Sequence, residues 1–300
     1  MVTGSEGFIG RNLVKRISRN DRVYTLDRKP SNSRFASVHY VGDIADKETF
    51  NQIDVPLDII YHFGSASSIL SFKGRESELS NLELKGFVNI LEFAKERGVK
   101  KFIYPSTASV YSREQISGKK ILNPINIYGA VKFAEEQICT FYAGEMTTIG
   151  LRIFMAYGPG EEIKGERASP ISLFCKDVFE KKSPVIYGDG RQIRDPLYIE
   201  DLVEVLYNVK DSCLNSGVYD ICTGNPVTFN EIIGAIRVVT GNLQFKVTYI
   251  PKPNSYVEGV TCDPTLTKEL LGRDFTSLHN GIKRIFEHLS SIQENEEDTL

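Results

Sequence analysis

The first 157 residues alternate short apolar runs with amphipathic stretches, and that alternation admits few architectures. "RVYTLD" (22–27), "DIIYHFG" (58–64), "KKFIYPS" (100–106) and "TTIGLRIFMAY" (147–157) read as strands. Between the last three lie "LELKGFVNILEFAKERG" (82–98) and "YGAVKFAEEQICTFYAGE" (128–145). Val88, Leu91 and Ala94 follow helical spacing in the first, and Val131, Ala134, Ile138 and Phe141 do so in the second. Strands separated by helices pair in parallel through right-handed crossovers, so the spacing predicts a doubly wound parallel α/β sheet.

After Tyr157 the texture changes. A Gly- and charge-rich loop (158–170) leads to a helix (171–182), the turn "YGDGRQ" (187–192) and a helix near 200–209. "GVYDICTG" (217–224) reads as a strand; a helix (229–240), "QFKVTYI" (244–250) and two C-terminal helices follow. The expected division is a first domain over 1–157, joined by 193–224, and a smaller C-terminal α/β lobe over 158–192 and 225–290. Residues 291–300 read as a solvated acidic tail.

A net charge of −3 gives no reason to expect nucleic acid or anionic membrane as a partner. No apolar run approaches the ~18 residues of a membrane span, and the first 30 residues hold no signal-peptide core; the chain reads as cytoplasmic. The five cysteines (139, 175, 213, 222 and 262) form no C-x-x-C pair and have no histidine at ligand spacing, so they read as isolated buried thiols with no metal site.

The opening "MVTGSEGFIG" sets Gly4, Gly7 and Gly10 ahead of Phe8, Ile9 and the apolar helical face Ile9, Leu13, Ile17. Such a loop brings the phosphates of a dinucleotide onto a helix N-terminus. Asp27 closes the next strand 17 residues after Gly10. Its carboxylate suits both ribose hydroxyls and repels a 2′-phosphate, favouring NAD, whereas the adjacent Arg28 and Lys29 suit a phosphate. In "GDIAD", Asp43 and Ile44 suit the adenine amino group and face. Phe63, Gly64 and Ser65 end a strand where backbone must pass close to the cofactor. Only Met1–Thr3 precede the loop. The first strand is therefore expected to be truncated to those residues, with an α-ammonium near the sheet centre, or else the true start lies upstream.

In "Tyr128-Gly-Ala-Val-Lys132" a phenol and an ammonium lie four apart, on one face of a helix. The ammonium favours the phenolate and moves the tyrosine down towards working pH, where it acts as a base. Ser106 and Thr107 in "YPSTASVYS" stand at a strand end, at the sheet edge where open α/β folds bind ligands, and offer hydroxyls to a substrate oxygen.

These pieces together resemble the extended short-chain dehydrogenase/reductase family, within it the NAD-dependent sugar-nucleotide epimerases and dehydratases. The likeness runs through "TGSEGFIG", "LDRKP", "GDIAD", "GVKKFIYPSTASVYS", "YGAVK", "LRIFMAYGPG", "YGDGRQIRDPLYIEDL" and "GVYDICTG". It implies a Rossmann-type fold, NAD as cofactor, Tyr128 as acid/base, Lys132 as its modulator and ribose ligand, and Thr107 as hydroxyl relay. It also implies Ser106 and Phe154 beside the cofactor, and Arg194 on the substrate diphosphate. Ala108 and Ser109 follow Thr107 where dehydratases carry an Asp-Glu pair, which looks like the 4-epimerase branch.

Three positions depart from that pattern. Met155 stands where the family commonly has asparagine. "PKPNSY" (251–256) replaces an Arg-Pro-Gly-Asp, leaving Lys252 to meet the diphosphate as a point charge rather than a bidentate fork. Glu83 replaces a further asparagine. The resemblance implies C4 epimerisation of a UDP-hexose through a transient 4-keto sugar. The alternatives are a 4-keto-sugar reductase or dehydrogenase of the same fold and a non-catalytic NAD-binding module. It further implies a homodimer in which helices near 82–97 and 128–143 pair as a four-helix bundle, a role with which Phe133 and Tyr142 are compatible.

Overall fold

A strand of two residues, β1 (Val2–Thr3), stands at the middle of a seven-stranded sheet. The computed structural model describes residues 1–31, 33–116, 119–252, 259 and 261–297. After β1 come α1 (Phe8–Ile17), β2 (Tyr24–Asp27), β3 (Val38–Val41), β4 (Ile59–His62), α2 (Glu76–Glu96) and β5 (Lys101–Thr107). A hairpin, β6 (Tyr111–Ile116) and β7 (Lys119–Leu122), leads to α3 (Ile127–Thr140), β8 (Thr147–Ile153) and β9 (Met155–Tyr157). Next are α4 (Pro170–Phe179), β10 (Val185–Tyr187), β11 (Ile193–Arg194), β12 (Pro196–Tyr198), α5 (Ile199–Val209) and β13 (Gly217–Ile221). The chain continues through β14 (Val227–Thr228), α6 (Phe229–Thr240), β15 (Thr248–Ile250), α7 (Thr265–Leu271) and α8 (Leu278–Glu297).

The main sheet runs β3-β2-β1-β4-β5-β8-β13 with every pair parallel. This is the doubly wound order expected from the alternation, with its reversal between β1 and β4. Short as it is, β1 is locked on both sides. Val2 pairs with Thr25 and Tyr61, and Thr3 with Leu26 and His62. The Gly4 N–H donates to Leu26 (2.8 Å), and the Phe63 N–H to Thr3 (3.0 Å). The α-amino group of Met1 donates to the Ile59 carbonyl (2.6 Å); burial, partly offset by Asp58, lowers its pKa to about 5.

Successive strand residues face opposite sides of the sheet. Ile60 joins a core of Tyr24, Leu26, Phe87, Ile90, Leu91 and Phe102, roofed by α2 and α3. Each such side chain contributes roughly 1.5–3 kcal/mol on burial. Tyr61, one residue on, instead donates to the Leu206 carbonyl of α5 (3.2 Å). There Arg16 of α1 makes a two-pronged pair with Glu204 (2.6 and 2.8 Å).

The chain forms two compact units, Met1–Ile153 with Val203–Ile221, and Phe154–Leu202 with Cys222–Leu300. These boundaries differ from those expected. The run 147–157 breaks at Phe154, and its last three residues pair with β12 rather than extending the main sheet. Residues 154–157, 193–202 and 222–224 join the second unit. Within that unit, buried Glu161 accepts Ser169 N–H (2.9 Å), Ser169 Oγ (2.7 Å), Ser172 Oγ (2.6 Å) and Lys164 Nζ (2.9 Å), fixing the entry to α4. Thr228 and Glu231 form a reciprocal cap on α6.

Two further expectations fail. Phe141 is 85% exposed, because α3 ends at Thr140 and Phe141 lies past the helical stripe. The cysteines are not all isolated: Cys222 and Cys262 form a disulfide across 40 residues, with Cα atoms 6.3 Å apart, while Cys213 is exposed. Sequence spacing carries no sign of that tertiary proximity. No helix among the described residues is long and apolar enough to cross a membrane.

Candidate active site

Three loops converge where the sheet order reverses, at the carboxyl ends of β1, β4 and β5. The turn after β1 needs glycine: Gly4 has φ +67°, and an added Cβ would lie 2.3 Å from the Phe63 carbonyl oxygen. Gly10, in the first turn of α1, packs on that turn so closely that a Cβ would sit 2.1 Å from the Gly4 oxygen. Gly7 caps α1 with extended backbone, and Phe8 and Ile9 follow it into the helix. Asp27, ending β2, accepts the N–H groups of Glu6 and Lys29 (3.0 Å each). Its carboxylate therefore lies beside the glycine turn and retains lone pairs for further donors.

The Asp43 carboxylate accepts Ala45 N–H (2.9 Å) and lies 3.9 Å from the Arg28 guanidinium. The carbonyl of Ile44 receives Asn89 Nδ2 (2.9 Å) from α2. After β4, the Gly64 N–H donates to Thr3 Oγ1 (3.2 Å), and Phe63 carries the carbonyl against Gly4. Ser5 Oγ is buried in the glycine turn and finds no hydrogen-bond partner among the described residues. An orphaned hydroxyl, a helix start with no side-chain cap and a carboxylate at the next strand end fit a dinucleotide's pyrophosphate and adenosine ribose.

Asn126 caps α3 by accepting Gly129 N–H (2.8 Å), which starts the helix so that Tyr128 lies in its first turn and Lys132 in its second. Half-buried Tyr128 sits beside Phe72, with the Thr107 side chain of β5 near enough to its phenol to favour the phenolate. Thr107 also accepts Ser109 N–H (3.1 Å). Buried Lys132 donates to Ser65 Oγ (2.8 Å) and to both oxygens of Glu135 (2.8 and 3.2 Å). Glu83 of α2 accepts Ala66 N–H (2.8 Å) on the same loop.

The electrostatics correct one expectation. Burial raises the Tyr128 phenol above its ordinary value and outweighs the Lys132 ammonium and Thr107, which pull it down; Glu135 and Glu83 push it further up. Burial works against the Lys132 charge, but Glu135, Glu83 and Tyr128 more than compensate, so its pKa lies above the ordinary one. Burial lifts Glu135 to about 7 despite Lys132.

Ser106 and Thr107 face opposite sides of β5, as strand alternation requires. Ser106 donates to Glu136, away from Tyr128. Glu136 holds Arg152 of β8 at 2.8 and 2.6 Å; Arg152 donates to Tyr111 (2.8 Å), which donates to Asp220 of β13 (2.6 Å). This buried network, which sequence reading missed, ties α3 to four strands, β5, β6, β8 and β13. Its one visible sign is an arginine inside an apolar strand. Glu135 was likewise missed, as a glutamate on a helix reads as solvated.

Phe154, Met155, Arg194 and Lys252 belong to the second unit. Phe154 is half-buried between β8 and β9, and Met155 opens β9. Arg194 in β11 donates to the Ile193 carbonyl (2.7 Å), with its guanidinium over the Phe229 ring. Lys252 lays its stem against Gly188. The rest of the "PKPNSY" stretch, 253–256, lies outside the described residues.

Residues 1–222 match the model of the NAD dependent epimerase/dehydratase family. The chain belongs to this family. NAD is its cofactor, in keeping with the glycine turn and Asp27. Among family members with assigned activities, the ADP-L-glycero-D-manno-heptose-6-epimerase of Alkalilimnicola ehrlichii is 29% identical over 273 residues, covering 84% of each chain. The UDP-glucose 4-epimerase of Thermotoga maritima, solved with UDP-glucose, superposes with a TM-score of 0.87 at 25% identity, covering 97% of this chain and 98% of its own. The Thermus thermophilus UDP-glucose 4-epimerase, solved with NAD, gives a TM-score of 0.81 at 23% identity over 96% and 98%, a likeness of fold.

Proposed function

We propose that this protein epimerises a nucleotide sugar, a UDP-hexose at C4, through a transient 4-keto sugar. The observation that carries this reading is the meeting of Thr107, Tyr128 and Lys132 at the carboxyl edge of the sheet, beside a dinucleotide loop. NAD, when bound, supplies the two-electron acceptor and donor that takes and returns the hydrogen of the carbinol carbon.

The protein's own part is proton handling and orientation. Tyr128 takes the hydroxyl proton as the carbinol becomes a ketone and returns it when the ketone is reduced from the other face. Thr107, beside that phenol, relays or steadies the proton. Lys132, held by Ser65, faces the nicotinamide ribose. Asp27 takes the adenosine ribose, with Asp43 and Ile44 at the adenine. Arg194 and Lys252 meet the diphosphate, with Met155 lining the sugar site. Ala108 and Ser109 after Thr107 provide no extra acid or base, which favours epimerisation over dehydration.

A second reading is favoured by the curated relatives, whose substrate is an ADP-heptose and whose reacting carbon is C6. The same proton chemistry serves either carbon. Exposed Leu82 on α2 and Ile127 on α3 support pairing of two copies through these helices, whereas Tyr142 is engaged within the chain by Glu92.

Incubation with UDP-glucose, UDP-galactose, their N-acetylated forms and ADP-heptose, without added NAD and followed by proton NMR, separates the readings. Interconversion of a UDP-hexose pair supports C4 epimerisation, turnover of ADP-heptose alone moves the assignment to C6, and stoichiometric consumption of added NADH marks a reductase.

A further inference from the structure

The Tyr128–Lys132 spacing pairs a phenol with a cation that makes it more acidic, yet that cation is shared. Glu135, one helical turn beyond Lys132, binds the ammonium through both oxygens, and the two side chains are 1% and 2% exposed. Ser65 holds the same ammonium from the loop after β4.

The other groups facing this cluster carry no free charge. His62 on β4 is held neutral by burial and by Lys132, with its pKa near 3, and it bonds Thr3 Oγ1 (2.8 Å). Burial keeps Tyr104 of β5 a phenol and pushes the Cys139 thiol up to about 12. The Glu136 charge is taken by Arg152. Among the described residues this leaves Glu135 and, from α2, Glu83 as carboxylates acting on Lys132.

We propose that Glu135 is a positioning residue that holds the Lys132 ammonium against Ser65 and, with Glu83, offsets that cation at Tyr128, so the phenol keeps its proton more tightly than a lone Tyr–Lys pair would. A proton taken up by Glu135 returns the full Lys132 field to Tyr128 and favours the phenolate. The two sites therefore titrate as a coupled pair. The consequence for catalysis rests on Tyr128 being the acid/base of the proposed reaction; the titration itself does not.

Carbon NMR of the full chain labelled at the tyrosine ring Cζ, with Tyr128 assigned by its loss in Tyr128→Phe, reads the phenol directly. Tyr128 ionises above its ordinary pH, where Glu135 is fully charged. Glu135→Gln is therefore expected to lower its midpoint by about one unit, a tenfold change in proton affinity. Glu83→Gln moves it the same way by less, and Glu135→Asp titrates closer to the native chain than to Glu135→Gln. The remaining tyrosine signals report folding; if Glu135→Gln does not fold, Glu83→Gln decides. Midpoints unchanged or raised in these variants overturn the proposal. A lowered midpoint in a protein that turns over no UDP-hexose keeps the Glu135 assignment and removes only the functional reading.

Discussion

Gly10 and Gly7 are both small residues of the cofactor turn, and the packing around them predicts a larger loss of stability at Gly10 than at Gly7 when each becomes alanine. At Gly10 the new Cβ would stand 2.1 Å from Gly4 O, 2.9 Å from Gly4 C and 3.0 Å from Ser5 Cα, all backbone atoms. Reaching an ordinary 3.4 Å contact with that oxygen requires α1 and the turn to part by about 1.3 Å. Overpacking of this kind costs about 1–3 kcal/mol, and more where backbone cannot yield. Alanine regains about 1 kcal/mol of helix propensity. Because all three contacts are with backbone, the upper half of that cost applies, and the net expectation for Gly10→Ala is a loss of roughly 1–2 kcal/mol in urea unfolding. In the proposed NAD site, the parting also pulls the N–H groups of α1 off the pyrophosphate. One lost charge-assisted hydrogen bond, about 1.5–3 kcal/mol, weakens NAD binding by at least about tenfold in calorimetry. At Gly7 the Cβ would meet only Gly4 O, at 3.1 Å. Gly7→Ala should therefore cost less, about 0.5–1 kcal/mol, most of it the lost glycine cap, while its methyl group obstructs the pyrophosphate. Gly10→Ala proving as stable as the native chain, or more so as propensity alone dictates, would refute this packing.

Two other outcomes follow from the same structure. Neutral, buried His62 has its pKa lowered by burial and Lys132 from 6.5 to about 3. Below about pH 6.5 the unfolded chain thus takes up a proton that the fold refuses, and stability falls by about 1.4 kcal/mol per pH unit towards pH 3. His62→Asn removes this contribution, so its urea-unfolding slope between about pH 6.5 and pH 4 should be flatter; an equal slope contradicts the assignment. Alkylation of the denatured, unreduced protein should tag three of the five cysteines and, after reduction, all five; five tags without reduction would contradict the Cys222–Cys262 pairing.

Most of the sheet was legible because periodicity marks what a residue is buried against. The runs at 58–64 and 100–106 became β4 and β5, and the residue types at 4, 7, 10 and 27 carried the cofactor loop into view. β3 was not visible, since an edge strand of "VHYV" has two exposed valines and no alternating face. The glycine turn, Tyr128, Lys132 and Thr107 could be chosen because their chemistry requires those residue types in that order. Glu135, Glu136 and Arg152 could not: a charged residue on a helix or strand looks solvated until tertiary packing encloses it. The net acidity of Tyr128 was misjudged for the same reason. Desolvation and the Glu135 carboxylate depend on three-dimensional enclosure, whereas only the Lys132 ammonium is visible in the i, i+4 spacing.

The most direct test of the central claim uses UDP-glucose deuterated at C4 with the native chain and with Tyr128→Phe, read by mass spectrometry and NMR. The account predicts that the native protein forms UDP-galactose retaining the deuterium at C4, with no net reduction of cofactor, and that Tyr128→Phe binds NAD but forms no product. Deuterium washed out into solvent, or turnover undiminished in Tyr128→Phe, would contradict it.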